Sequence, residues 1–209
     1  ITFALVQHNQ LLTDGQMAAT LKIIPFFVPE TSLQKIEDLV ANSPAFSFHP
    51  LRRARVALIQ TRIDGQADRL FAATENVTAA RLQILGCDLV ASHICGHNRQ
   101  EVAELITSCS QAGAEIILVC GGSAIIDRQD ELPQAVVMAG GVITQLGLAV
   151  DPGNLLMFAE IGKLPVIGMP GCARSPKLNG LDWVLQLILA DIEMTRAEFA
   201  DMAAGGLLM

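Results

Sequence analysis

The chain's 209 residues are enough for one domain of ordinary size, or for one domain with a small appendage. Hydrophobic residues make up 51% and charged residues 17%, so the chain can bury a full core without disulfides or metal and has little material for a solvated tail. A net charge of −7, from 14 basic and 21 acidic residues, argues against general nucleic-acid binding but leaves room for a small anion held by backbone N–H groups.

The chain opens on Ile1-Thr2-Phe3 with its first strand in mid-stride, which reads as a piece of a longer polypeptide. Residues 1–30 lack helical periodicity. Phe3-Ala4-Leu5-Val6, a turn at Thr13-Asp14-Gly15, and Ala18 to Val28 broken by Pro25 predict a small β-rich module. Thr31 and Ser32 stand where they can cap a short helix with Leu33, Ile36, Leu39 and Val40 on one face. Ser43 to Arg53, with Pro44 and Pro50, reads as a linker, and Arg52-Arg53-Arg55 as the solvated lead-in to a strand.

From Arg55 the rhythm becomes strand, helix, strand. Val56–Ile59, Leu89–Ala91, Ile116–Val119 and Val166–Gly168 read as buried strands by their apolar runs. Leu70, Ala73, Val77, Ala80 and Ile84 predict one helical face, and Val102, Leu105, Ile106 and Cys109 a second. A helix around Pro133–Ala139 and a last one carrying Leu181, Val184, Leu185 and Ile188 complete the series, with Val142 to Val150 between them. Such alternation predicts an α/β fold with a mostly parallel sheet covered on both faces, in which ligands bind beyond the carboxyl ends of the strands. The expected organisation is a small β-rich module and linker over residues 1–50, an α/β domain over 51–195, and a tail or linker over 196–209.

Two glycine loops fall at predicted strand ends. Gly121-Gly122-Ser123 lets the backbone approach a ligand and adds a hydroxyl, and it is neither a Walker A loop nor a GxGxxG fingerprint. The second loop holds Pro170, Gly171, Arg174, Ser175 and Lys177, which bring two cations, a hydroxyl and free N–H groups to a helix start. Pro152, Gly153 and Asn154 form a further turn. Asp127 and Asp130 are the candidate catalytic carboxylates, with Asp130 the candidate Mg²⁺ ligand; their plainer role, for Asp130 together with Glu131, is at the start of the following helix. His93, Cys95 and His97 alternate as strand-end residues do, without the distant ligand a zinc site would need. Five cysteines without a CxxC pair suit a reducing, cytoplasmic setting, and no spanning run points to a membrane.

Together, Val56–Thr61, Cys120–Pro133, Asp151–Asn154 and Gly168–Lys177 resemble the molybdopterin-binding domain family, over about residues 53–190. The family's Gly-Gly loop, Arg, Asp and helix-opening Pro match Gly121, Gly122, Ser123, Arg128, Asp130 and Pro133. Its later turns match Pro152-Gly153 and Gly168, Pro170 and Gly171. The resemblance implies a three-layer α/β/α sandwich that binds the pterin and its terminal phosphate across the strand ends, and a homo-oligomer, trimer or dimer. The run Cys172–Gly180 and the segment Gly15–Pro25 are similar to a subgroup whose domain precedes a nucleotidyltransferase domain acting on molybdenum cofactor. Three departures matter: Ala124 replaces a loop glycine, Gly96-His97-Asn98-Arg99 stands where adenylyltransferases carry an Asp-Asp pair, and Thr61–Gly65 blurs another acidic motif. Molybdopterin binding is therefore the expectation. The alternatives are Mg²⁺-dependent adenylyl or cytidylyl transfer through Asp127 and Asp130, and an oligomerisation module with a vestigial pocket.

Overall fold

Two short strands open the chain. β1 (Thr2–Leu5) and β2 (Ala19–Lys22) pair antiparallel, with Thr2 opposite Lys22 and Leu5 opposite Ala19. A computed structural model describes residues 1–43 and 45–208; Pro44, inside the expected linker, lies outside the described residues. Helix α1 (Glu30–Asn42) begins after Pro29, so Thr31 and Ser32 lie within its first turn rather than capping it. Its apolar residues Leu33, Ile36, Leu39 and Val40 are all exposed. These elements belong to one compact unit, Ile1–Pro50, and a second unit begins at Leu51.

In the second unit, β3 (Arg55–Arg62), β4 (Asp88–Gly96) and β5 (Ile116–Cys120) are joined through α2 (Asp68–Ile84) and α3 (Arg99–Gln111). Helix α4 (Glu131–Met138) leads to β6 (Val142–Leu146), β7 (Met157–Ile161) and β8 (Leu164–Met169). A 3-10 turn (Gly171–Arg174), α5 (Gly180–Leu189) and α6 (Arg196–Asp201) follow. The six strands form one sheet in the order β4-β3-β5-β8-β7-β6. β4, β3, β5 and β8 are mutually parallel, while β7 runs antiparallel to both β8 and β6.

Each face of the sheet carries its own helices. Val56, Leu58, Leu118, Ile167 and Phe158 pack with Leu82 of α2, Val184 and Leu185 of α5, and Phe199 of α6. Ala57, Ile59, Val119 and Val166 face Val102 and Ile106 of α3 and Leu132 and Val136 of α4. The fold is thus a mostly parallel α/β sandwich of three layers, preceded by a small two-stranded sheet. Both sheet faces are covered, which is why β5 reads as an unbroken apolar run and not as an alternation. Each fully buried Val, Leu or Ile here contributes about 1.5–3 kcal/mol.

Three sequence expectations change. The buried face of α2 is Phe71, Thr74, Thr78, Arg81 and Leu82, not Leu70, Ala73, Val77, Ala80 and Ile84; Ile84 is 84% exposed. Hydropathy selects the wrong stripe because the inward face carries two threonines and an arginine, of which Thr74 and Arg81 bond to the loop after β8. β7 escapes the sequence pattern, since the Met157–Ile161 run lies outside the strand–helix rhythm and returns to β8 through a tight turn with Gly162 at φ +62°. The stretch from Arg196, expected as a tail, carries α6 with Phe199 in the core, and Leu207 forms a parallel bridge with Asp151.

Candidate functional site

The parallel strands end on one edge of the sheet. β6 shares that polarity because it is two antiparallel steps from β8. The connections leaving β3, β4, β5, β6 and β8 therefore all rise from this edge, where open α/β sheets place their ligands. They bring Gly121–Asp130, Pro152–Asn154 and Pro170–Lys177 to the same side of the molecule. The basic lead-in lies at the opposite edge: Arg52 pairs with Glu115 and Asp191 before β3 begins.

The first loop is held from beneath. Gly122 N–H donates to Thr61 Oγ1 at 2.8 Å, and Gln66 Nε2 donates to the Gly122 carbonyl at 3.1 Å. A Cβ on Gly121 would stand 2.5 Å from the Ser123 carbonyl oxygen and 2.9 Å from Leu132 Cδ1, so the tight turn itself demands glycine there. Thr61 Oγ1 also lies 2.7 Å from His97 Nδ1, and His97 Nε2 lies 2.9 Å from Ser123 Oγ. Thr61 is fully buried and Ser123 is exposed. His97, just beyond β4, is not among the sequence-predicted site residues; the structure joins it to Ser123.

The two candidate catalytic carboxylates fold their own loop. Asp130 Oδ2 accepts from Ile126 N–H at 2.7 Å and Asp127 N–H at 2.9 Å, and Asp127 Oδ1 accepts from Gln129 N–H at 2.8 Å. The Asp127 and Ile126 N–H groups hold the Asp130 carboxyl below the usual carboxylate range. Asp130 occupies the N-cap position of α4, yet its side chain makes no capping bond to the helix. Glu131 is also engaged elsewhere: it accepts from the Arg99 guanidinium and backbone N–H, which pull its carboxyl down to about 2. Among the described residues no three His, Cys, Asp or Glu side chains cluster as metal ligands. Asp127 Oδ1 and Asp130 Oδ2 are already taken up by backbone N–H groups of their own loop. Cys95 is no better suited as a thiolate, because burial pushes its thiol up to about 11.

The second loop is built by two arginines. Arg81, buried on α2, donates to Asp182 Oδ1 at 2.6 Å and to the carbonyls of Ala173 and Ser175 at 2.9 and 2.8 Å. Arg174 donates to the Gly121 carbonyl and to Thr74 Oγ1, each at 2.9 Å. Its guanidinium thus joins the two glycine loops. Lys177 is exposed and enters no salt bridge among the described residues. Gly171 differs from Gly121: nothing lies within 4 Å of the position its Cβ would take, and its φ is not positive. No packing requirement explains glycine at 171.

The third turn serves the helix behind it. Pro152 follows a cis peptide bond, and its carbonyl accepts from Gly180 N–H at 2.9 Å. Gly153, at φ +133°, meets the backbone of Gly180 where a side chain would collide. The Asn154 carbonyl accepts from Leu148 N–H at 2.8 Å. Asn179 and Asp182 cap α5 reciprocally, so the helix start, the Pro152 turn and the Arg81 anchor are fastened together. Two clefts lie elsewhere: one of about 370 Å³ lined by Arg128, Thr144, Gln145, Arg196 and Phe199, and one of about 340 Å³ between α3 and Met138. Neither is lined by Ser123 or Gly171.

The fold and these loops define a class: a mostly parallel α/β sandwich whose strand-end glycine loops carry an exposed serine and an exposed lysine on one side of the sheet. No protein-family model matches the chain, and no curated protein matches it. Among solved structures it is similar to the molybdopterin biosynthesis MoeA protein from Pyrococcus horikosii, at 19% identity and TM-score 0.47, over 77% of this chain and 41% of that one. It is similar also to a putative molybdenum cofactor biosynthesis protein from Corynebacterium diphtheriae, at 18% identity and TM-score 0.43, over 66% and 97% of the two chains. A third is the molybdopterin biosynthesis enzyme MoaB from Thermus thermophilus, at 15% identity and TM-score 0.39, over 65% and 88%. The chain thus spans about two-fifths of the length of the first of these. At such identities function has to be argued from the site.

Proposed function

We propose that the strand-end loops bind molybdopterin through its terminal phosphate and serve molybdenum cofactor biosynthesis. The observation that carries this is the Arg174 bond to the Gly121 carbonyl at 2.9 Å, which fixes the two loops against each other. Their motif order is that of the molybdopterin-binding domain family. Ser123, Lys177 and the uncrowded backbone at Gly171 supply the hydroxyl, the cation and the N–H approach that a phosphate monoester takes. Exposed Ile126 on the first loop and Leu178 on the second offer apolar surface suited to the flat faces of a pterin.

In this reading the domain binds and presents the pterin, and nucleotidyl transfer takes place at a separate centre, on a nucleotidyltransferase domain or partner. Asp127 and Asp130 stabilise the loop between β5 and α4. Oligomeric assembly and a cytoplasmic setting belong to the same proposal. The test is calorimetric titration of the chain with molybdopterin, followed by incubation with labelled ATP or CTP and Mg²⁺. Binding without adenylylated or cytidylylated product is expected. No binding heat and no thermal shift would overturn the proposal, and nucleotide transfer by this chain alone would replace it with a catalytic one.

A further inference from the structure

Three side chains from three elements form a single file at the strand edge. Thr61 is the penultimate residue of β3, His97 follows β4, and Ser123 follows the Gly121-Gly122 turn after β5. Thr61 Oγ1 has two hydrogen-bonding partners among the described residues: Gly122 N–H, which donates to it at 2.8 Å, and His97 Nδ1 at 2.7 Å. The other imidazole nitrogen, Nε2, lies 2.9 Å from Ser123 Oγ. His97 is pinned on both sides: its N–H donates to the Arg62 carbonyl at 3.0 Å, and Gly96 N–H and the Asn98 side chain both donate to Glu101.

The proton positions follow from the burial of Thr61. Its oxygen already accepts from Gly122, and its own proton has one acceptor available, His97 Nδ1. If the file ran the other way, Ser123 would donate to Nε2 and Nδ1–H would donate to Thr61. The Thr61 proton would then be buried with no acceptor, at the full desolvation cost of an unpaired donor. The outward arrangement leaves nothing unpaired: Thr61 O–H donates to Nδ1, Nε2–H donates to Ser123, and the Ser123 proton points away from His97.

We propose that His97 is the positioning and specificity residue of the strand-end site, holding Ser123 with its proton turned outward as a hydrogen-bond donor and so favouring ligands that present an oxyanion. This rests on the reading of the strand-end loops as an anion site, and it adds the device that sets their preference. A serine free to rotate can spend its proton on a neighbouring group; Ser123, with Nε2–H on one of its two lone pairs, keeps its proton for the ligand and so favours acceptors.

The test uses the full chain with sulfate, a tetrahedral dianion that does not titrate near neutral pH, and the imidazole nitrogens of ¹⁵N-histidine-labelled protein at pH 8.5. The expected results are a protonated Nε2 with a bare Nδ1 at His97, and sulfate affinity reduced about tenfold or more in His97→Ala. In His97→Gln, whose amide can still donate to Ser123, affinity stays within about threefold of wild type. A protonated Nδ1, wild-type sulfate affinity in His97→Ala, equal losses in both variants, or no sulfate binding to the wild type would each overturn the inference. If His97→Ala fails to fold, the tautomer and the glutamine variant still decide. Neither measurement involves a pterin. The expected tautomer and sulfate behaviour without molybdopterin binding would sink the functional reading alone; molybdopterin binding with the opposite tautomer would sink this one alone.

Discussion

Arg81 and Asp182 meet at 2.6 Å with their side chains 6% and 14% exposed, and this pair fastens α2 to the start of α5. The same guanidinium donates to the Ala173 and Ser175 carbonyls, so the loop holding Gly171 and Arg174 takes its shape from a residue on another element. A fork of five donors meets an acceptor set that a lysine ammonium cannot match in one geometry.

Arg81→Met is expected to lower stability by about 3–5 kcal/mol, because it leaves Asp182 buried without its partner. Arg81→Lys should recover less than half of that loss. Urea unfolding followed by circular dichroism measures both. A lysine variant as stable as wild type would show that charge alone suffices and that the fork is immaterial.

Gly121 and Gly171 separate packing from ligand approach. A methyl on Gly121 would press on the Ser123 carbonyl and on Leu132, so Gly121→Ala should cost about 1–3 kcal/mol in stability. At Gly171 a methyl meets nothing within 4 Å, so Gly171→Ala should unfold at the wild-type urea midpoint while binding sulfate or molybdopterin about tenfold more weakly. Unchanged ligand affinity in Gly171→Ala would remove this glycine from the site.

Much of this architecture is legible in the sequence, for identifiable reasons. The stripe of α5 at Leu181, Val184, Leu185 and Ile188 is buried as its spacing predicts, because nothing polar interrupts that face. α2 reads wrongly for the converse reason: Thr74, Thr78 and Arg81 are buried, and a hydropathy pattern assigns such residues to solvent. The same blindness hides Arg81 and Thr61 as site builders, since a buried arginine or threonine has no local signature. His97 is visible only as one of three alternating residues. Its partners are 36 positions earlier and 26 later, and sequence spacing cannot bring them together. Asp127 and Asp130 are legible as a carboxylate pair; that their oxygens face their own backbone emerges only in three dimensions.

Acid should loosen the α3–α4 junction in a defined window. Glu131 is held at about 2 by the Arg99 guanidinium and backbone N–H, against an ordinary value of 4.5. A carboxyl depressed on folding adds stability that is complete above its unfolded value and is lost as pH falls through its folded one. The contribution of Glu131 should therefore persist at pH 7, decline below about pH 4.5 and vanish near pH 2. In urea titrations across that range, wild type and Glu131→Gln should differ at pH 7 and converge in acid. A gap that stays constant with pH would show that Glu131 acts by packing instead of charge.

Arg174 and Lys177 carry the same formal charge three residues apart, and their variants should behave differently. The Arg174 guanidinium is committed to the Gly121 carbonyl and Thr74, so Arg174→Gln breaks the junction between the loops. It should lower stability by about 1–3 kcal/mol and weaken anion binding through lost geometry. Lys177 is exposed, and among the described residues its ammonium enters no salt bridge. Lys177→Gln should therefore leave stability within about 0.5 kcal/mol of wild type. Its sulfate affinity should fall about threefold to tenfold at low ionic strength and by less as salt is raised, because an exposed cation acts through a field that salt screens. Calorimetry at two salt concentrations distinguishes the two residues. A loss in Lys177→Gln that did not shrink with salt would mean that Lys177 makes a buried, direct contact with the ligand.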